Sequence, residues 1–581
     1  LGRQAQFSLV TTLRGVLVSF LYYLLSALSR PVLFGIILVP VVAGLLGVLL
    51  PAFNYFPALG SSQFSGAAFT QLLATPGLLK MLCLSLFCGF LATWIAFKLN
   101  IMILASFYHT PWLNRIEQGL SPVLAVPHAA AAIAIAFILT PSGWLSRLLS
   151  PWLTGSNMVG DSWLPNDPWG ISIIIGLVFK ELPFLLLMSL SVLKQANLRV
   201  RLLQEYKVAI SLGYQAEAAF IKVIFPQLYP LIRLPVLAVL AYATASVEIP
   251  YILGPNNPAT LAVTILNWFN HSDLELRFVA SAAAVLQIVL SLTVILIWLG
   301  GEYLWRRARS LFMAINLNPW APFYRFCTGV TLILFAVILI VSLGGLVVWS
   351  FAGYWPYPAA LPNSITGLHW QNAFTQLAEP ISNSLLMAVS SSLLALLISL
   401  FALEAASYRT ATKSWLEYLI YLPLLVPGVA FLFGLLWLQQ ALFSDAVFLP
   451  VLISHLVYVI PYVYLSLAVS YHNFNPALIR VAASLGAKPC KVFWRVKIPQ
   501  LFAAIMVAFA LGLAISLSQY LPTLLAGGGR YPTLTTEAVA LANGASRRTS
   551  AVYAIMQMVL PLLGFMLAAW LPKWVYRKAQ A

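Results

Sequence analysis

Hydrophobic residues in this chain come in long unbroken runs. They show neither the three-to-four-residue spacing of a surface helix nor the alternation of a half-buried strand. Bounded by charge, Pro or Gly, the runs fall at about 31–51, 80–97, 119–140, 168–193, 228–254, 277–303, 327–352, 381–405, 416–440, 446–470, 500–526 and 551–572. A spanning helix takes about 20 apolar residues, so the pattern predicts about twelve transmembrane helices. Backbone groups in lipid must bond within their own segment, which selects helices. A barrel would show short alternating strands instead. The expected fold class is all-α, a polytopic membrane protein. Residues 15–28, lying between Arg14 and Arg30-Pro31, are too few to cross and are read as an interfacial helix preceding the first span, an extra span or a re-entrant piece being the alternative.

Composition agrees with this picture. Of 581 residues, 61% are hydrophobic and 8% charged, whereas soluble proteins sit near 45–50% and about 25%. That excludes an ordinary water-soluble enzyme and a disordered scaffold. The 32 Lys and Arg outnumber 15 Asp and Glu, giving a net charge of +17. With the N-terminus placed in the cytoplasm, 24 of the basic residues fall in inner segments and six in outer segments or their edges. The positive-inside rule therefore puts both termini in the cytoplasm, and the excess charge needs no nucleic-acid partner. Cys83, Cys88, Cys327 and Cys490 are scattered and form no CxxC pair. They read as buried thiols, with no metal site or cofactor expected.

The chain also repeats itself. Val208-Ala209-Ile210-Ser211-Leu212-Gly213 matches Val481-Ala482-Ala483-Ser484-Leu485-Gly486 at five of six positions, 273 residues apart. The same offset aligns Phe220 with Phe493, Lys222 with Arg495 and Pro226-Gln227-Leu228 with Pro499-Gln500-Leu501. Val126-Pro127 and Val426-Pro427 mark the third and ninth spans, while Pro183 and Pro461 mark the fourth and tenth. Self-similarity at a fixed offset is the signature of a repeated structural unit. The expectation is two homologous six-helix halves, 1–315 and 316–581.

The repeated loop resembles the EAA signature of binding-protein-dependent ABC importer permeases, roughly E-A-A-x-x-x-G followed by a hydrophobic-Pro pair. The copies read Lys207-Val208-Ala209-x-x-x-Gly213 with Phe225-Pro226, and Arg480-Val481-Ala482-x-x-x-Gly486 with Ile498-Pro499. The motif's Glu is basic in both. The whole chain resembles the fused permeases linked to ferric iron and thiamine import. That resemblance implies docking of each loop on an ABC ATPase subunit, two copies in all, and cargo delivery by an extracytoplasmic solute-binding protein. It also implies residence in the inner membrane and ATP hydrolysis on a separate subunit, since the chain carries no Walker A sequence. The residues support docking on their own terms. Gly213 and Gly486 suit a bend, Ala209, Ser211, Ala482 and Ser484 are small enough for close approach, and Pro226 and Pro499 suit the start of a span. Lys207, Lys222 and the bases from Arg480 to Lys497 are available for acidic groups on the ATPase. The competing reading of one such loop is an amphipathic segment on the lipid surface.

Charge inside a membrane is costly and by default suggests function. Lys180 lies about twelve residues into the fourth span, and Glu248 near the outer end of the fifth. Their depths differ by roughly 9 Å, and they are candidates for the translocation pathway, a charge pair pinning two helices being the alternative. Glu181 follows Lys180, on a different helix face. His128 and His455 read as helix-packing histidines, and Gly527-Gly528-Gly529-Arg530 as a turn. The outer stretch 141–167, with Asp161 and Asp167, is a candidate surface for the external binding protein or else a solvated loop.

Two functional classes remain. The first is the permease subunit of an ATP-driven importer of a small hydrophilic solute such as thiamine or ferric iron. The second is a secondary active transporter of the two-half, twelve-helix type, which needs no matched docking loops. No nucleophile–base or metal constellation supports an intramembrane enzyme.

Overall fold

A computed structural model describes residues 2–108, 110–150, 164–407, 419–443, 445–542, 544 and 546–580. Within these, side chains are described from residue 19 onward, except at 121–122, 196–197 and 577–580. Among the described residues eleven helices are long and apolar enough to cross a membrane, and a twelfth, Gly428–Leu442, is shorter and falls in the ninth predicted run. The protein is an all-α polytopic membrane protein.

Helix α1 (Gly2–Ala52) is followed by α2 (Leu78–Phe107). The third predicted span is two helices, α3 (Pro111–Ala125) and α4 (His128–Leu139), separated by extended backbone at Val126 and Pro127. α5 (Ile171–Leu193) leads into α6 (Ala196–Ser211) at one end of the bundle. The fifth predicted span also breaks: α7 (Phe225–Ala245) stops at Ser246, and α8 (Glu248–Leu253) and α9 (Leu261–Phe269) precede α10 (Leu276–Ala314). The same order then recurs. α11 (Ala321–Phe351) and α12 (Leu368–Ser407) come first, then α13 (Leu422–Leu425) and α14 (Gly428–Leu442) on either side of extended Val426 and Pro427. α15 (Phe448–His472) and α16 (Pro476–Ser484) follow. α17 (Ile498–Leu517), α18 (Leu521–Gly527), α19 (Leu534–Ala542) and α20 (Arg547–Gln580) complete the chain.

The breaks have local causes. Pro127 and Pro427 lack an N–H and push the preceding Val out of the helical region. Before α7 and α17 the chain makes a π turn, at Phe220–Ile224 and Phe493–Lys497. Phe225 and Ile498 donate to the carbonyls of Phe220 and Phe493, five residues back. In a normal turn the rings of Pro226 and Pro499 would clash with the carbonyl four residues earlier, and the wider turn opens room for them.

Residues 15–28 do not form a separate interfacial helix. They are continuous with the first span in α1, and Tyr22 is buried against the C-terminal part of the chain. The first helix of each set crosses over. α1 packs on α12 and α14 as well as α10, and α11 packs on α2 and α4 as well as α20. Gly44 and Gly434 let α1 and α14 meet backbone to backbone, since a Cβ on Gly434 would lie 1.9 Å from the Gly44 carbonyl oxygen. Small residues at such crossings gain dispersion contacts that lipid cannot supply. On α11, Phe335 stacks on Phe179 at 4.8 Å between ring centres, and Thr328 Oγ1 lies 2.9 Å from Ser106 Oγ.

At the end of the bundle away from α6 and α16, Arg147 ties two loops together. It donates to the carbonyls of Pro356 (2.8 Å) and Ala359 (3.2 Å), and its guanidinium lies 4.6 Å from the centre of the Trp355 ring. Asp167 is fully buried and accepts the N–H of Ser172 (2.9 Å) at the start of α5. A cap of this kind satisfies orphan helix donors, so Asp167 is not a surface group for a binding protein. Asp161 lies outside the described residues.

Candidate functional site

Two regions hold the residues singled out in the sequence. The first is the pair of matched loops. α6 and α16 end alike: Tyr214 N–H bonds the Ala209 carbonyl (3.2 Å) and Gly213 N–H that of Ile210 (3.0 Å). Ala487 and Gly486 repeat the pattern onto Ala482 (3.0 Å) and Ala483 (2.9 Å). This is the Schellman arrangement, which calls for a left-handed residue after the helix. Gly213 and Gly486 supply it, with φ of +88° and +74°. The residue before each glycine projects into open space. Leu212 is 73% and Leu485 81% exposed, and Val208 and Val481 are exposed beside them.

Lys207, Ser211 and Gly213 are exposed in the first loop, as are Arg480, Ser484 and Gly486 in the second. Ser211 Oγ turns back to the Lys207 carbonyl and Ser484 Oγ to that of Val481. Ala209 is buried within the bundle and Ala482 half-buried, so Ala209 sets the packing of α6 rather than a contact surface. Pro226 is half-buried and Pro499 exposed in the first turns of α7 and α17. The carbonyl of Pro499 accepts the Tyr576 hydroxyl.

Two of the basic residues assigned to a partner's acidic groups face inward instead. Lys222 is buried and donates to the carbonyls of Met313 (2.8 Å) and Ile315 (2.7 Å), satisfying the end of α10. Lys497 is buried against Glu404 at 2.5 Å, where Glu404 also accepts the hydroxyls of Tyr22 (2.8 Å) and Tyr471. A long Lys stem next to a helix start reaches a buried acceptor as easily as water, so position in a loop did not reveal its direction. The first loop has its own anchor, Arg325 of α11 on buried Glu217, with Nη2 3.1 Å from Oε2. Nearby, burial and the adjacent Tyr206 push the Tyr108 phenol up to about 12, so it stays a neutral donor.

The second region lies between the two sets of helices. Lys180 on α5 donates to the Val126 carbonyl, left free by the break between α3 and α4. Glu181 points elsewhere: it is 4% exposed and its Oε1 lies 3.8 Å from His128 Nε2 at the start of α4. Glu248, at the start of α8, lies beside the backbone of Tyr520 and within electrostatic reach of His128 and Lys180. Lys180 and Glu248 therefore share one polar cluster, which His128 joins. His455 does not join it. Its ring nitrogens are 2.8 Å from Ser516 Oγ and 2.8 Å from Thr523 Oγ1, a satisfied packing histidine.

Sequence reasoning missed Tyr242 and Tyr462 and took Tyr458 and Tyr520 only as uncharged repeat counterparts of Lys180 and Glu248; the phenols of all four surround these charges. Tyrosines in apolar runs look like core or membrane-interface residues. The one available signal was the repeat itself, which puts Tyr458 and Tyr520 at the positions of Lys180 and Glu248.

A multi-pass bundle with a polar cluster between two similar sets of helices, and matched apolar knobs at one end, is a membrane transport protein. The signature of the family described as "Binding-protein-dependent transport system inner membrane component" matches residues 395–577. The inner membrane ABC transporter permease protein YnjC of Escherichia coli (strain K12) is 30% identical over 510 residues, 87% of this chain and 90% of its own length. The Fe(3+)-transport system permease protein FbpB 2 of Haemophilus influenzae is 26% identical over 60% of this chain and 67% of its own. A putative 2-aminoethylphosphonate transport system permease protein, PhnV of Salmonella choleraesuis, is 27% identical over 45% of this chain and 99% of its own. The chain belongs to the permeases of binding-protein-dependent ABC importers, a family of inner-membrane transport subunits rather than enzymes. The secondary-transporter alternative is set aside by that membership.

Proposed function

We propose that the chain is a two-half pore of an ATP-driven importer, with residues 1–315 and 316–581 as homologous halves and both termini in the cytoplasm. In this reading the loops at 207–226 and 480–499 are cytoplasmic handles, each seated on one of two ABC ATPase subunits. ATP binding draws the ATPases together and moves both handles, so that the halves rock from inward- to outward-facing. A solute-binding protein then delivers a small hydrophilic solute to the outer mouth, and hydrolysis resets the pore. The solute passes between the halves, by Lys180 and Glu248. Thiamine and ferric iron are the cargoes suggested by similarity.

The observation that carries this reading is the pair of identical helix endings that present Leu212 and Leu485 to open space. Exposed apolar side chains on a solvent-facing bend gain free energy when a partner covers them, roughly 1.5–3 kcal/mol for a fully buried Leu. Two such knobs in the same place of each set fit two copies of one partner. The test is to purify the chain together with the products of its genomic neighbours. Stoichiometric capture of an ATPase supports the reading, and proton-driven uptake by the chain alone contradicts it.

A further inference from the structure

The polar cluster between the two sets is built asymmetrically. Its charges come from the N-terminal set: Lys180 and Glu181 on α5, Glu248 on α8, and the imidazole of His128 on α4. Counting from Pro183/Pro461 and Pro250/Pro522, the matching positions in the C-terminal set are Tyr458, Val459 and Tyr520. One wall is ionic and the facing wall is aromatic. The two walls meet close to the axis that relates the sets, because equivalent positions touch each other. Glu248 lies beside Tyr520, and Phe184 and Tyr462, each one residue past its proline, have ring centres 6.4 Å apart.

Three features of this cluster point to a ligand. Glu181 Oε1 is buried without any hydrogen-bond partner, and an unsatisfied buried carboxylate oxygen is costly unless something else completes it. Tyr242, Glu248, Tyr458 and Tyr462 lie deep between the helices, yet each keeps part of its surface open, as does His128. His128 and Tyr242 are in ring contact at 5.2 Å, and the other three are only partly covered. Finally, the charge balance favours a cation. There are two carboxylates and one ammonium, and that ammonium is already bonded to the Val126 carbonyl. Among the described residues no group of three His, Cys, Asp or Glu side chains is placed to hold a metal ion, so a bare metal has no ligand set here. Phenol faces opposite carboxylates match an organic cation, through ring quadrupole and charge together.

We infer that the space between the ionic and aromatic walls is a cargo-binding site for an organic cation, with Glu181 and Glu248 pairing its positive charge and Tyr458 and Tyr462 presenting their ring faces to it. The site rests on the importer reading and names its cargo class. Lys180 holds the α3–α4 break in place and limits the site to a small net negative charge, which favours a singly charged ligand that can also leave.

The test uses the full chain in nanodiscs of uncharged lipid, so that the bilayer itself holds no cations. Choline and thiamine serve as cationic probes, citrate and inorganic phosphate as anionic probes, and glucose as the neutral one, each titrated by calorimetry. The expected result is saturable binding of at least one cation and of neither anion. Glu181→Gln should weaken that binding at least tenfold, and Tyr462→Leu should weaken it several-fold while Tyr462→Phe does not. Binding of an anion that Lys180→Met abolishes, or no binding by any probe, would overturn the inference and leave a cluster that only pins helices. Capture of the ATPase by the unsubstituted chain is measured in parallel. No capture would count against the importer reading, whereas capture with no binding of any probe counts against the site alone.

Discussion

Glu248 and Tyr520 stand at equivalent positions, each two residues before a proline that shapes the short helix after a span, and the carboxylate of one lies beside the backbone of the other. Contact between equivalent positions happens only near the axis relating two similar units. Because the Glu248 carboxylate lies against the main chain of Tyr520, Tyr520→Phe should leave uptake near normal. Glu248→Ala should cut cargo uptake by about tenfold or more, the loss expected when a charge-assisted contact to the cargo, worth roughly 1.5–3 kcal/mol, is removed. Uptake in proteoliposomes holding the complete complex reads both.

The buried group Tyr22, Glu404, Tyr471 and Lys497 ties α1 to the base of the second loop. Removing one member of a buried ion pair leaves the other uncompensated, at about 3–5 kcal/mol. Lys497→Met and Glu404→Gln should each lower the thermal unfolding temperature in detergent markedly, and the double variant should recover part of the loss. Tyr22→Phe removes one hydroxyl and should cost about 1 kcal/mol.

The crossing of α1 over α14 makes another prediction. Gly434→Leu places a side chain where the Gly44 backbone already lies, so the helices must separate. A loss of about 1–3 kcal/mol is expected from overpacking, seen as a lower unfolding temperature and as easier proteolysis between α1 and the rest. Gly35, whose Cβ would meet nothing, should accept Ala without effect.

Much of this architecture could be read from hydrophobicity alone, and the physics explains where the reading stopped. Run length reports burial in lipid, so the number of spans was legible. Residues 246–248 carry no proline or glycine, and an apolar run looks the same whether the helix continues or bends, so the break that exposes Glu248 was invisible. The repeat located Gly213 and Gly486, because a left-handed position nearly dictates its residue. It did not locate the partners of Lys222 and Lys497, which are set by helices distant in sequence. Nor does periodicity encode which set α1 packs against, so Tyr22 looked like part of an interfacial face.

Both loop glycines have open space around a notional Cβ, so bulk is tolerated there within this chain and only the positive φ resists it. Gly213→Val and Gly486→Val should each cost about 1–2 kcal/mol locally, with membrane insertion unchanged. A bulky residue beside Leu212 or Leu485 should nevertheless disturb a seated ATPase. The expected outcome is ATP hydrolysis no longer matched to uptake, measured as transported solute per phosphate released. Normal coupling in both variants would count against seating at these bends.

The central claim is that the two matched bends touch a separate motor. A photo-crosslinking amino acid placed at Leu212, and separately at Leu485, tests this in intact membranes, with the lipid-facing, exposed Val337 as the control position. The account predicts that both loop positions form adducts with a nucleotide-hydrolysing subunit and that position 337 does not. Adducts with lipid alone, or with proteins on the opposite side of the membrane, would contradict it.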